Sequence, residues 1–157
     1  MAQVVRGLGW AAGRPAVSFS TGGRGLRQPC RTIAAPLADP RFLTFVRSHF
    51  ENAREERLHV TYLDSAGHYL ADETLATGLT HCAATRARTL FAKAMAADAK
   101  GFILAHNHPS GICRPSEDDI RSTDRVRHLA AALDIPLIDH LIVTTAHIYS
   151  MQSGRLL

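Results

Sequence analysis

The chain has 157 residues, 46% of them hydrophobic and 20% charged, enough for one core and too few for two ordinary domains. No uninterrupted apolar run of about 18 residues occurs, which excludes a membrane-spanning helix and predicts a soluble protein. Cys30, Cys82 and Cys113 are odd in number and irregularly spaced, so the sequence predicts neither a disulfide framework nor a zinc finger, and it fits a reducing, cytoplasmic setting.

The formal charge of +4 is spread unevenly. Arg6, Arg14, Arg24, Arg27, Arg31 and Arg41 face the single acid Asp39 in residues 1–41, while bases and acids nearly cancel from 42 onward. All 9 histidines fall in that nearly neutral part, where imidazole serves as metal ligand or proton carrier.

Residues 1–40, rich in Gly, Arg, Pro and Ser, show no sustained periodicity and are read as a disordered basic leader, with the folded domain over 41–157. Such an arm offers a weak, sequence-independent contact to DNA phosphates. Phe42, Phe45, Val46 and Phe50 then recur at helical intervals, predicting an amphipathic helix that ends near Glu55 and Glu56. Leu58, Val60 and Tyr62 alternate as in a half-buried strand, Ser65-Ala66-Gly67 supplies a turn, and residues 68–78 return as a second strand. A helix is expected from about Ala84 to Ala97, with Leu90, Phe91, Ala94 and Met95 as its apolar stripe. Residues 102–105 read as a short buried strand, and a helix follows from Ser116 to about Leu133 carrying Ile120, Val126, Leu129 and Leu133. Two strands close the chain, over 137–145 and 147–151.

Chemistry concentrates between the buried strand and the following helix, where His106, Asn107, His108, Pro109, Ser116 and Asp119 occur. In extended backbone, residues two apart share a side, so His106 and His108 can converge on one ion while Asn107 points away. Pro109 ends the strand, and the Gly and Pro of the next loop turn the chain back, placing Asp119 in the first helical turn as a third ligand. Two imidazoles and a carboxylate suit zinc with its fourth position open to water. Read alone, Ser116 to Asp119 behind Pro115 is also an acidic capping box, and Cys113 is expected outside the ligand set. Asp139-His140 reads as a buried, hydrogen-bonded pair, with an outer partner of a metal ligand as the sharper alternative. His59, His68, His81, His128 and His147 have no partner at ligand spacing and are read as surface or core residues.

The segments "ILAHNHPSG", "PSEDD" and "IPLIDHLIV" closely resemble the JAMM (JAB1/MPN) metalloprotease motif in its RadC-like branch, over roughly Leu58 to the C-terminus. Ala87-Arg88-Thr89 keeps only the arginine of a Pro-Arg-Glu segment of that family, and the basic leader does not resemble the amino-terminal helix-hairpin-helix region of full-length RadC-like proteins. The resemblance implies an α/β fold of JAB1/MPN type, similar to cytidine deaminase, with a mixed sheet flanked by helices. It implies Zn2+ held by His106, His108 and Asp119, with Ser116 stabilising an oxyanion. It also implies an upstream glutamate as general base, which the alignment of the hairpin puts at Glu56, with Glu55 and Glu73 as alternatives. The activity so implied is zinc-dependent, metallopeptidase-type hydrolysis of a peptide or protein by a metal-activated water. The alternative is a binding module associated with DNA maintenance or repair, with little or no hydrolysis.

Overall fold

The computed structural model describes Leu37 and residues 39–78 and 83–157, with the side chains of 83–86 excepted. The rest of the leader, Cys30, Cys82 and His81 therefore lie outside the described residues. A six-stranded mixed sheet forms the centre, in the order β2-β1-β3-β4-β5-β6. The strands are β1 (Arg57–Leu63), β2 (Tyr69–Thr77), β3 (Gly101–Asn107), β4 (Leu137–Val143), β5 (Ile148–Ser150) and β6 (Arg155–Leu156), and the helices are α1 (Pro40–Ser48), α2 (Ala83–Ala96) and α3 (Glu117–Ala132). β3 is antiparallel to β1 and parallel to β4, so α3 is the crossover between two parallel strands.

Strand alternation sorts the apolar residues onto two faces. Leu63, Ile103, Ala105, Leu141, Val143 and Ile148 pack against Phe42, Phe45 and Val46 of α1, with Phe50 and Leu37 at the margin. Val60, Tyr62, Phe102 and Leu104 pack on the opposite face against Leu90, Phe91 and Ala94 of α2 and Ala130 of α3. The expected mixed sheet with helices on both sides is thus present. β3 is buried along its whole length because it is covered on both faces and paired on both edges.

Several boundaries differ from the sequence expectation. α1 ends at Ser48 and not near Glu55, because His49 N and Phe50 N bond back three residues to Val46 O and Arg47 O, tightening the last turn. Asn52 then takes a left-handed conformation (φ 59), and Phe50 folds onto the core. Packing and capping contacts also reach back before residue 41. Asp39 caps α1 by accepting from Arg41 N, Pro40 opens the helix, and Leu37 packs on the first core cluster. Met95 is exposed, as are Ile120, Leu129 and Leu133; the buried side of α3 is Thr123 and Ala130. β6 has no counterpart in the sequence reading and follows a turn at Gly154 (φ 68).

Among the described residues no helix is long and apolar enough to cross a membrane.

Candidate metal centre

The cluster forms where β3 leaves the sheet and α3 begins. Phe102 and Leu104 point into the α2–α3 layer, and His106, two residues on, emerges from the same face of the strand. His108 lies just past the strand, anchored by its backbone N–H to Val143 O at 3.0 Å. A tight turn closes behind it: Gly111 N donates to His108 O at 3.0 Å, and Gly111 adopts φ 80, open to glycine at little cost. That turn returns Ile112 O to within 2.7 Å of His108 Nδ1. Nδ1–H therefore donates to the carbonyl, and Nε2 presents a lone pair to the site.

Asp119 arrives from the first turn of α3. Ser116 is the N-cap: Asp119 N donates to Ser116 Oγ at 3.1 Å, while Asp119 Oδ2 accepts from Ser116 N at 2.8 Å and Ser116 Oγ at 2.6 Å. The capping box and the placing of the third acidic group are thus one device. In this structure Ser116 acts on Asp119, since its hydroxyl hydrogen is given to the carboxylate.

The three side chains meet. His106 Nε2 lies 2.8 Å from His108 Nε2 and 3.2 Å from Asp119 Oδ1, and His108 Nε2 lies 3.3 Å from Asp119 Oδ2. Ligand atoms around a tetrahedral ion with bonds of 2.0 to 2.1 Å sit about 3.3 Å apart, so these side chains form a cluster able to hold a metal ion. Burial pushes the Asp119 carboxyl up, but the close approach of His106 and His108 and the Ser116 hydroxyl more than offset this and hold it well below the carboxylate range. The neighbouring Asp119 carboxylate raises His108 above its ordinary value, against the effect of burial.

Behind His106 runs a relay that the sequence favoured less. His106 Nδ1 is 2.8 Å from His140 Nε2, and His140 Nδ1 is 2.6 Å from Thr123 Oγ1. Burial, reinforced by the neighbouring His106, pushes His140 well below its ordinary value and keeps it neutral. If His106 Nδ1–H donates to His140 Nε2, then His140 Nδ1–H donates to Thr123 and Thr123 passes its own hydrogen to Met151 Sδ, 3.6 Å away. This order of donors leaves His106 Nε2 bare toward the cluster. His140 is therefore buried and hydrogen-bonded, and it is also the partner that orients His106. The sequence signal was phase: His140 pairs with Leu104, which shares a face with His106. Asp139 is structural, its carboxylate accepting from His140 N, Gln152 N and Ser150 Oγ.

A model of the RadC-like JAB domain matches residues 38–156. The chain belongs to the RadC-like JAB domain family. It is similar to the UPF0758 protein YkfG of Escherichia coli (strain K12), with 37% identity over 72% of each chain. It is also similar to a UPF0758 protein of Rhodobacter capsulatus (38% identity, covering 65% of this chain and 48% of the relative). A UPF0758 protein of Alteromonas mediterranea is 33% identical over 63% of this chain and 44% of its own. The chain thus spans about half the length of two of these three relatives. The six-stranded sheet with its three helices is the fold this membership implies.

Glu56 of this RadC-like domain immediately precedes β1, is exposed, and lines a cavity of about 140 Å³ together with His106, Asp119 and His140. It is near enough to His108 to contribute to raising that residue. The rest of the lining is mostly apolar, with Leu58, Leu75, Leu90, Leu104, Val126 and Leu129, and it also includes Arg57, Ser122, Thr123 and Arg125. Glu73 is engaged elsewhere, with Tyr62 and Lys93. Asn107 points away from the cluster, as alternation requires, and Cys113 is half-buried with Sγ toward Ile142 O at 3.5 Å.

Proposed function

We propose that this domain is a zinc-dependent hydrolase of metallopeptidase type, with His106, His108 and Asp119 as metal ligands and Glu56 as general base. The observation that carries the reading is the convergence of His106 Nε2, His108 Nε2 and Asp119, with His106 and Asp119 lining a cavity that Glu56 also lines. When bound, zinc would polarise the scissile carbonyl and lower the pKa of water to about 7.

The chain's own residues carry the remaining work. The capping box and the His140–Thr123 relay hold the ligands, so their geometry costs little reorganisation at the moment of reaction. Glu56 takes a proton from the attacking water and delivers it to the leaving amine. Ser116, whose hydroxyl lies beside Asp119, would donate a hydrogen bond to the oxyanion. The apolar walls around Leu104 and Leu129 seat an apolar side chain of the peptide next to the bond that is cut.

The test is zinc content together with turnover. Purified protein reconstituted with Zn2+ should bind it stoichiometrically at this centre and generate new amino termini from a pool of unstructured peptides. His108→Ala should lose both. Failure to bind zinc at these residues, or hydrolysis unchanged by His108→Ala, rejects the reading.

A further inference from the structure

A second convergence of ligand atoms lies on the opposite face of the sheet. His49 caps the C-terminus of α1, His59 stands on β1 next to Val60 but faces the α1 layer, and Asp72 lies on β2. Asp72 Oδ2 is 3.1 Å from His59 Nε2 and 3.7 Å from His49 Nε2. All three donor atoms lie within 4.8 Å of one another, and the pairs with Asp72 straddle the separation of about 3.3 Å expected around a tetrahedral ion.

The outer atoms of the set are oriented as metal ligands require. His59 Nδ1 faces Thr74 Oγ1 at 3.4 Å, which directs Nε2 inward. Asp72 Oδ1 accepts from the Tyr69 hydroxyl, leaving Oδ2 to the histidines. His59 Nε2 is buried, and its polar neighbour is the Asp72 carboxylate, with Oδ2 3.1 Å away. The rings of Phe45 and Phe50 collar the two imidazoles edge-on, which shuts the group away from bulk water.

We propose that His49, His59 and Asp72 form a second zinc site, structural in role, that ties α1 to the β1–β2 hairpin. Three donors from three separate elements make the cross-link, and two imidazoles with a carboxylate are donor chemistry suited to zinc. The imidazole rings are stacked with centroids 3.7 Å apart. Both Nε2 atoms holding one ion would require these stacked rings to splay. The site is independent of the His106 centre, so each can be present without the other.

The experiment uses the full chain carrying His106→Ala and His108→Ala, stripped with a chelator and titrated with Co2+ and then Zn2+. One equivalent of Co2+ should bind with the intense visible absorption of a tetrahedral site, Zn2+ should displace it, and the melting temperature should rise. Adding His59→Gln or Asp72→Asn should weaken binding at least 100-fold while the circular dichroism of the fold is kept. In the chain with the first centre intact, His49→Gln should lower the stoichiometry from two to one. No metal bound in the first background, or binding that survives both His59→Gln and Asp72→Asn, overturns the proposal. If the cluster merely shares a proton, the titration gives that negative result.

Discussion

The side-chain amide of Asn107 brackets Glu56 from both sides: its Oδ1 accepts from Arg57 N at 2.8 Å and its Nδ2 donates to Glu55 O at 3.1 Å. A buried residue next to two candidate ligands thus fixes the backbone that carries the candidate base. Gly78 N adds a third tie, donating to Glu56 O at 2.8 Å. Asn107→Ala removes both amide bonds and leaves a backbone donor and acceptor short of partners, at a cost of about 1–3 kcal/mol. Turnover should fall while zinc affinity stays near that of the wild type. Glu56→Gln should lower hydrolysis by roughly 10²- to 10⁴-fold, the usual contribution of a general base, with zinc content unchanged. Parallel measurement of kcat and bound zinc checks both.

The relay behind His106 predicts a different signature. Thr123→Val and His140→Gln leave every proposed ligand in place but disturb the tautomer and orientation of His106. Loss of such an outer partner costs about 10- to 100-fold in metal affinity. Competition with a chromophoric chelator measures this directly, and affinity unchanged in both variants would remove the relay from the account.

His140 also sets a pH dependence for the metal-free protein. Its folded value lies below that of the unfolded chain, so the unfolded state binds more protons and stability falls as pH drops below about 6.5. The slope for one such group approaches about 1.4 kcal/mol per pH unit. Between pH 7.5 and 5, His140→Gln should therefore flatten the decline in melting temperature relative to the wild type. Equal declines would show that His140 does not stay neutral in the fold.

The start of the domain gives a truncation test. Removing residues 1–36 should leave metal binding and hydrolysis intact, because Leu37, Asp39 and Pro40 stay to pack against the core and cap α1. Removing 1–40 should lower the melting temperature through loss of that cap. If the leader binds DNA, the shorter deletion alone abolishes retention on DNA, and wild-type retention should fall steeply with salt.

Some of this was legible along the chain because its cause is local. Alternation over Leu58, Val60 and Tyr62 marks β1, and a capping box is a four-residue pattern that contains Ser116 and Asp119 entire. The His106 cluster was legible for the same reason: strand, turn and helix start follow one another, so spacing translates into convergence. The end of α1 was not, because Phe50 continues the helical spacing and only the core it turns toward shows that the helix has stopped.

By itself, then, the sequence determined most of the strand and helix pattern and the grouping of His106, His108 and Asp119, all of which arise within short stretches of chain, while the mixed sheet was implied by its family resemblance. Tertiary structure alone decided what depends on elements far apart meeting. It chose His140 and Thr123 as partners of His106, set the Asn107 amide around Glu56, and brought His49, His59 and Asp72 together from one helix and two strands. Strand order and register set those encounters, and they result from packing two faces of one sheet at once.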